Sequence, residues 1–194
     1  LLLAQLPFES IVVALNPDDC HWDSLTAHKQ LSSLKTIHGG AQRSESVLNA
    51  LKSIDAAPDD LVLVHDAVRP CVGKFEINKL IQSVITDNEC KGGILATPIS
   101  DTIKRVDERS NITKTLNREG LWSALTPQLF RYAALREAME SADNVKQSVT
   151  DEASAMERMG HNVKVIAGSS RNIKITHPDD LALAEMILKS RENV

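Results

Sequence analysis

Apolar residues occur along this chain in short unbroken runs, separated by longer stretches in which they recur at helical spacing. Ile11-Val12-Val13-Ala14-Leu15 is the first run, closed by Asn16-Pro17-Asp18-Asp19. Leu61-Val62-Leu63-Val64 is the second, bounded by Pro58-Asp59-Asp60 and Pro70, and Gly92-Gly93-Ile94-Leu95-Ala96-Thr97-Pro98 is the third. Runs of this kind predict strands buried on both faces, with Leu61–Val64 central in a parallel sheet. Between them lie a polar helical stretch from about Trp22 to Leu34 and a short strand around Thr36 to His38. A helix follows with Val47, Leu48, Leu51 and Ile54 on one face and Ser44 as its N-cap. A further helix from Phe75 to Ile85 carries Ile77, Leu80, Ile81 and Val84 on one face. Strands alternating with helices at this spacing predict an α/β fold with a doubly wound, mostly parallel sheet.

The pattern changes after residue 100. Asp101-Thr102-Ile103-Lys104-Arg105-Val106 and Ile112-Thr113-Lys114-Thr115-Leu116 alternate around the turn residues Asp107-Glu108-Arg109-Ser110-Asn111, which predicts a β-hairpin. Its faces are too mixed for a core, so it should project as an arm over residues 101–116. A two-stranded ribbon is marginal alone, and packing on a second subunit is expected; a lid folded back on its own domain is the alternative. Leu121 to Thr126 returns to the sheet, and Pro127 is expected to open a helix reaching about Met139. Thr150-Asp151-Glu152 caps another helix, ended by Gly160. Val163 to Ile166 and Asn172 to Thr176 read as the last strands, and Thr176-His177-Pro178-Asp179 starts the final helix. Nothing repeats and no linker intervenes, so a single domain over residues 1–194 is expected.

Composition narrows the function. At 42% hydrophobic and 25% charged, the chain has the balance of a globular domain. A net charge of −4 and 3% aromatics speak against a nucleic-acid binder. Cys20, Cys71 and Cys90 match no zinc, haem or disulfide spacing, which fits a reducing cytoplasm. The six histidines are scattered without metal-site spacing, and His65 reads as structural. Leu1-Leu2-Leu3-Ala4-Gln5-Leu6 lacks an initiator Met and the basic start of a signal peptide. It reads as the last turns of a helix, so the chain is expected to begin part-way into a longer protein.

Three features could carry chemistry. In open α/β sheets ligands gather beyond the carboxyl ends of the strands, and the Leu61–Val64 run ends in Asp66, Ala67 and Arg69. An Asp there is more often a plain cap. Arg118 follows the hairpin, and Lys174 alternates with Ile173 and Ile175, so it points away from them; an edge-strand lysine would do the same. Gly39-Gly40 before a helix brings backbone N–H groups near an anion or base edge, although most such pairs are turns. Basic groups at strand ends and loops suit a phosphorylated substrate. No Ser/His/Asp arrangement or carboxylate pair is visible.

His65-Asp66-Ala67-Val68-Arg69-Pro70, Asp101-Thr102-Ile103-Lys104-Arg105, Asn117-Arg118-Glu119-Gly120-Leu121-Trp122, Leu125-Thr126-Pro127-Gln128, Thr150-Asp151-Glu152-Ala153 and Asn172-Ile173-Lys174 occur in that order. In these motifs the chain resembles the 2-C-methyl-D-erythritol 4-phosphate cytidylyltransferase family of the non-mevalonate isoprenoid pathway, from about Ile11 to the last helix. The resemblance implies a nucleotidyltransferase (Rossmann-like) sheet and a homodimer interlocked through the hairpin. It also implies transfer of CMP from CTP to the polyol phosphate with Mg²⁺. By the same resemblance Gly40, Ala41 and Ser46 meet the cytosine, and Asp66 and Ala67 sit by the ribose and substrate hydroxyls. Arg69, Thr126 and Lys174 bind the substrate, while Thr102 and Arg118 arrive from the partner subunit. Arg118 and Lys174 would hold the attacking phosphate, which needs no histidine base because its second pKa is about 6.

Two departures stand out. The family often has an acid where this chain has Ala41, and base recognition then depends on backbone contact. The family's opening strand, glycine-rich loop and triphosphate-clamping arginine and lysine are not in the sequence and are expected upstream of Leu1. One rival is a cytidylyltransferase for another polyol phosphate, such as ribitol 5-phosphate. Lys104-Arg105 and the Arg118-Glu119-Gly120-Leu121-Trp122 run favour the methylerythritol enzyme over it. The other is a non-catalytic nucleotide-binding protein, which a true absence of the upstream loop would favour.

Overall fold

Two strands, β4 (Gly92–Pro98) and β7 (Trp122–Arg131), form the middle of a four-stranded sheet ordered β3-β7-β4-β8, with β3 at Leu61–Val64 and β8 at Val163–Ala167. These positions come from a computed structural model that describes residues 3–26, 34–145 and 149–192. β3, β4 and β8 share one direction, and β7 runs against them: β7 pairs antiparallel with β3 (Leu61↔Arg131 to Val64↔Gln128) and with β4, which pairs parallel with β8. β1 (Val12–Leu15) and β2 (Lys35–His38) pair in parallel as a separate two-stranded sheet. The α/β architecture with mostly co-directional strands is therefore as expected, with β7 as the antiparallel exception.

β3 is not central in this sheet. It lies at an edge among the described residues, half-buried throughout, while β4 is buried over its first five residues. The apolar run nevertheless reported correctly that both faces are covered. Val62 and Val64 pack on a cluster that includes Leu48, Leu51, Phe130, Leu135, Met139 and Met156. Leu61 and Leu63 pack on the opposite cluster, which includes Ile77, Leu80, Val84, Leu95, Leu129 and Ile166. Fully burying each such side chain contributes about 1.5–3 kcal/mol. Helices α2 (Arg43–Ser53), α4 (Tyr132–Asn144) and α5 (Glu152–Arg158) supply the first cluster, and α3 (Lys74–Ile85) the second.

Three local expectations need correction. Ser44 is not the N-cap of α2; Gln42 is, and Ser44 lies in the first turn. The Glu45 carboxylate instead accepts from the Ala41 N–H at 2.8 Å and closes the approach to the helix. Pro127 opens no helix: β7 continues to Arg131 and α4 begins at Tyr132. The β4/β7 ladder shifts register between Ile94 and Ala96, opposite the segment carrying Pro127, so the residue with no N–H to donate falls where pairing is irregular. Asn172 to Thr176 is a loop rather than a strand, tied down by Ile175 N–H to Val68 O at 2.8 Å. Ile173 and Ile175 are still half-buried and Lys174 exposed, as the alternation implied.

At the chain's start, Leu3–Gln5 forms one 3-10 turn. α1 covers Trp22–Thr26, and the remainder of the helical stretch expected to Leu34 lies mostly outside the described residues. The hairpin forms as β5 (Lys104–Val106) and β6 (Ile112–Thr115), antiparallel and exposed at every position. Asp107 holds its turn by accepting from Arg109 N–H at 2.9 Å and Asn111 N–H at 2.8 Å. The final helix α6 spans Pro178–Glu192, with Asp180 accepting from the Thr176 and His177 N–H groups.

Candidate active site

β3 leads into a turn in which Arg69 N–H returns to Asp66 O at 3.0 Å. A relay beneath it fixes the turn. Asp66 N–H donates to Thr126 Oγ1 (3.0 Å), which lies 3.0 Å from His65 Nδ1, and His65 Nε2 lies 3.0 Å from Arg69 O. A carbonyl only accepts, so Nε2 carries the proton and Nδ1 receives the threonine hydroxyl. Burial lowers the His65 pKa, against the hydrogen bond to Arg69 O and the Asp66 charge. His65 is thus a neutral brace, as its sequence position suggested.

The Asp66 carboxylate sits amid three cations. Oδ1 accepts from Arg43 Nε at 2.9 Å and Oδ2 from Lys174 Nζ at 3.2 Å, while Arg69 Nε lies 3.7 Å from Oδ2, close enough for attraction but not for a hydrogen bond. The Asp66 side chain is only 10% exposed. Burial alone would raise its pKa; the charge and hydrogen bond of Arg43, then those of Lys174, outweigh burial and hold it below the ordinary carboxylate range.

Arg43, the first residue of α2, spends its guanidinium fork elsewhere. Nη1 and Nη2 donate to Glu152 Oε1 and Oε2 at 2.6 and 3.0 Å, the two-pronged geometry of a strong arginine–carboxylate pair. Glu152 opens α5 just after its cap Asp151 and is wholly buried, whereas the Arg43 side chain is 37% exposed. That asymmetry sets both pKa values. Burial pulls the Arg43 pKa down, but Glu152 and Asp66 more than offset it and the net shift is upward. Burial raises the Glu152 pKa, and the Arg43 fork only partly opposes it.

Arg69 Nη1 donates to Asn172 O at 2.9 Å, and Asn172 Nδ2 donates to Thr126 O at 2.7 Å, which draws the 172–176 loop onto the β3 turn. Two buried polar atoms at this junction, Arg69 Nε and Asn172 Oδ1, have no hydrogen-bond partner. Burial lowers the Arg69 pKa against the pull of Asp66; an arginine remains a cation nonetheless.

A second feature lies at the start of α2. Gly40, Ala41 and Ser46 line an open cleft of about 400 Å³ together with Leu15, Asn16 and Pro17. Gly40 N–H donates to Ser46 Oγ at 3.0 Å, so the N–H groups of Gly40 and Ala41 both point at α2 side chains here. Position 40 requires glycine: an added Cβ would come within 2.2 Å of Glu45 Cβ.

Of the residues marked in the sequence, Asp66, Arg69, Thr126 and Lys174 converge in one network, with Ala67 exposed at its turn. Gly40, Ala41 and Ser46 form the cleft. Thr102 and Arg118 stand exposed at the base of the arm, where Arg118 Nη1 donates to Ser100 O, and neither is a partner of Asp66. Sequence reasoning missed Arg43, Glu152 and Asn172 as site residues. Glu152 reads locally as a first-turn acid at a helix N-terminus, and nothing in the spacing signals its contact with a residue 109 positions away. Among the described residues no group of three or more His, Cys, Asp or Glu could hold a metal ion. Asp66, committed to arginine and lysine, does not fit a resident Mg²⁺.

A family model described as 2-C-methyl-D-erythritol 4-phosphate cytidylyltransferase matches residues 1–190. The chain is 46% identical over 184 residues to the protein of that name from Alteromonas mediterranea, covering 94% of this chain and 75% of that one. It is 45% identical over 194 residues to the protein of the same name from Dechloromonas aromatica, covering 98% of this chain and 82% of the relative. The crystal structure of the Francisella tularensis protein of that name superposes with a TM-score of 0.82 at 38% identity, over 94% of this chain and 82% of the other.

Proposed function

The chain belongs to the 2-C-methyl-D-erythritol 4-phosphate cytidylyltransferase family, and on that premise we propose that it transfers CMP from CTP to 2-C-methyl-D-erythritol 4-phosphate in isoprenoid precursor biosynthesis. The reaction yields the CDP-polyol and pyrophosphate. The observation that carries this reading is the convergence of Lys174, Arg69 and Arg43 on Asp66 beside the cleft at the start of α2.

In the proposed reaction an oxygen of the polyol phosphate attacks the α-phosphorus of CTP, and the bond from that phosphorus to the bridging oxygen of pyrophosphate breaks. The nucleophile is ionised at neutral pH, so rate comes from in-line positioning and from cations facing the growing charge. Lys174 has three N–H donors, one of them on Asp66 Oδ2, and its side chain is 43% exposed. The remaining donors hold the attacking phosphate. Arg69 adds its positive charge beside Asp66 on the substrate's side of the turn, Thr126 braces the turn through its hydroxyl, and Asp66 turns its carboxylate to ribose or substrate hydroxyls alongside Ala67. Gly40, Ala41 and Ser46 receive the cytosine in the cleft; for this the N–H groups now on Ser46 and Glu45 exchange partners. Mg²⁺ enters as the counter-ion of the CTP triphosphate.

We further propose that the arm crosses to a second copy of the chain, so that Thr102 and Arg118 act in the partner's site. The exposed Val106 and Ile112 on the arm, and Leu121 and Trp122 just beyond it, support a covered surface there. The unit is taken as a single nucleotidyltransferase domain with the arm as an insertion, acting in the cytoplasm. Three unpaired cysteines support that compartment, and no helix among the described residues is long and apolar enough to cross a membrane.

The test is a product assay with full-length protein, CTP and Mg²⁺. CDP-methylerythritol and pyrophosphate are expected, with turnover abolished by a chelator and restored by Mg²⁺. Ribitol 5-phosphate turned over far better than methylerythritol phosphate would overturn the specificity, and binding of CTP without product would favour a nucleotide-binding protein.

A further inference from the structure

We propose that Glu152 is a positioning residue of this transfer: by occupying both terminal nitrogens of Arg43, it restricts Arg43 to a single Nε–H contact with Asp66 and so leaves Asp66 Oδ2 for Lys174. The inference rests on the functional reading above and goes beyond it, because Glu152 itself touches neither proposed substrate. An arginine fork beside a carboxylate frequently takes both of its oxygens. Here the fork is turned away onto Glu152 at 2.6 and 3.0 Å, and only Nε reaches Asp66, on Oδ1 at 2.9 Å. Oδ2 is then free to anchor the Lys174 ammonium at 3.2 Å. Lys174 lies on a loop rather than a strand and has a half-exposed side chain, so this contact fixes where its charge stands. Without Glu152 the fork of Arg43 can close on both oxygens of Asp66 and displace Lys174.

Glu152 is well placed for this role. It is wholly enclosed at the first residue of α5, and its helix is held by the Asp151 cap, whose Oδ1 accepts from Ser154 N–H at 3.0 Å. Asp151 Oδ2 in turn accepts from Gln128 Nε2 at 2.9 Å, and Gln128 Oε1 accepts from Ala153 N–H at 3.0 Å. The carboxylate that directs Arg43 is thereby referenced to β7, the long middle strand, rather than to a surface loop.

The experiment compares wild type, E152Q, E152D and K174A, with each Glu152 variant also made in the K174A background, in the full-length enzyme. It measures kcat, both KM values and the folded fraction by circular dichroism. A misplacement of about 1 Å costs on the order of 10²-fold in rate, so E152Q is expected to lower kcat by about 10- to 100-fold with the KM for CTP within about twofold. E152D keeps the charge but withdraws it by one methylene, and its loss should be smaller. With Lys174 gone there is no ammonium left to position, so neither variant should slow K174A further. Equal fold-losses in both backgrounds would overturn the proposal. So would a loss that follows the folded fraction, or a raised CTP KM at unchanged kcat, which would make Glu152 an anchor of α2 alone. Failure of both variants to fold would make the pair a folding element and overturn it as well. A silent wild type would instead sink the functional reading beneath it.

Discussion

Replacing Asp66 by Asn keeps the shape of the side chain, removes its charge and turns an N–H₂ group toward one of two cations. The native carboxylate accepts from Arg43 Nε at 2.9 Å and Lys174 Nζ at 3.2 Å, with Arg69 Nε 3.7 Å away. A hydrogen bond to a charged group is worth about 1.5–3 kcal/mol. Both partners are more than a third exposed, so solvent screens them, and pairs of that kind are worth about 0.2–1 kcal/mol. Asp66 is nearly enclosed, which places the combined loss between these limits, at about 1–3 kcal/mol. Against a usual reserve of about 5–15 kcal/mol the variant stays folded, with a thermal midpoint lower by roughly 2–12 °C. Activity should suffer far more, because Lys174 loses the anchor that places it and three cations crowd an uncharged amide. Removal of one such preorganised contact costs about 10²–10³ in kcat. The assay is pyrophosphate release at saturating CTP with varied polyol phosphate, at a temperature where both proteins are fully folded by circular dichroism. Near wild-type kcat in the folded variant would refute the reasoning and make Asp66 a turn cap whose cations are incidental.

Arg118→Ala and Lys174→Ala should each be nearly inactive alone, yet co-expression should restore roughly a quarter of wild-type activity if the arm crosses a closed two-fold dimer; activity that stays at the mutant floor would place Arg118 in its own chain's site. The folded-state pKa of Asp66 is depressed, so its contribution to stability is present above the unfolded value of about 3.9 and is lost as pH falls through the folded one. The gap between the melting curves of wild type and Asp66→Asn should therefore begin to narrow as pH falls below about 4 and go on narrowing toward the lower folded-state pKa, and a gap that does not narrow in acid would contradict this. Gly40→Ala forces the loop away from Glu45 Cβ, 2.2 Å from the new methyl, and should raise the KM for CTP by about tenfold while leaving that for the polyol phosphate unchanged; an unaltered CTP KM would remove the cleft from base binding.

Much of this protein was legible from its residues alone, and the portion that was not has a common cause. Apolar runs identified β1, β3 and β4, helical spacing identified α2 and α3, and an alternation with no apolar face identified the arm, whose two strands are exposed at every residue. These are local signals, set by whether each side of a segment is covered. The strand-end Asp66 and Arg69, and the alternating Lys174, likewise carried their chemistry in sequence and do meet in space. What tertiary structure alone decided was which elements neighbour one another. Leu61–Val64 has both faces covered, as its composition implied, yet pairs only with β7 among the described strands, because side-chain burial does not report the backbone ladder. Asn172 to Thr176 has a strand's alternation but no ladder, the Ile175 N–H being taken by Val68 O and the Asn172 C=O by Arg69. The Arg43–Glu152 pair joins residues 109 apart whose local settings are two ordinary helix starts. A contact at that separation has no periodicity to betray it; it exists because packing α2 and α5 on the same face of the sheet leaves a buried carboxylate that needs a cation.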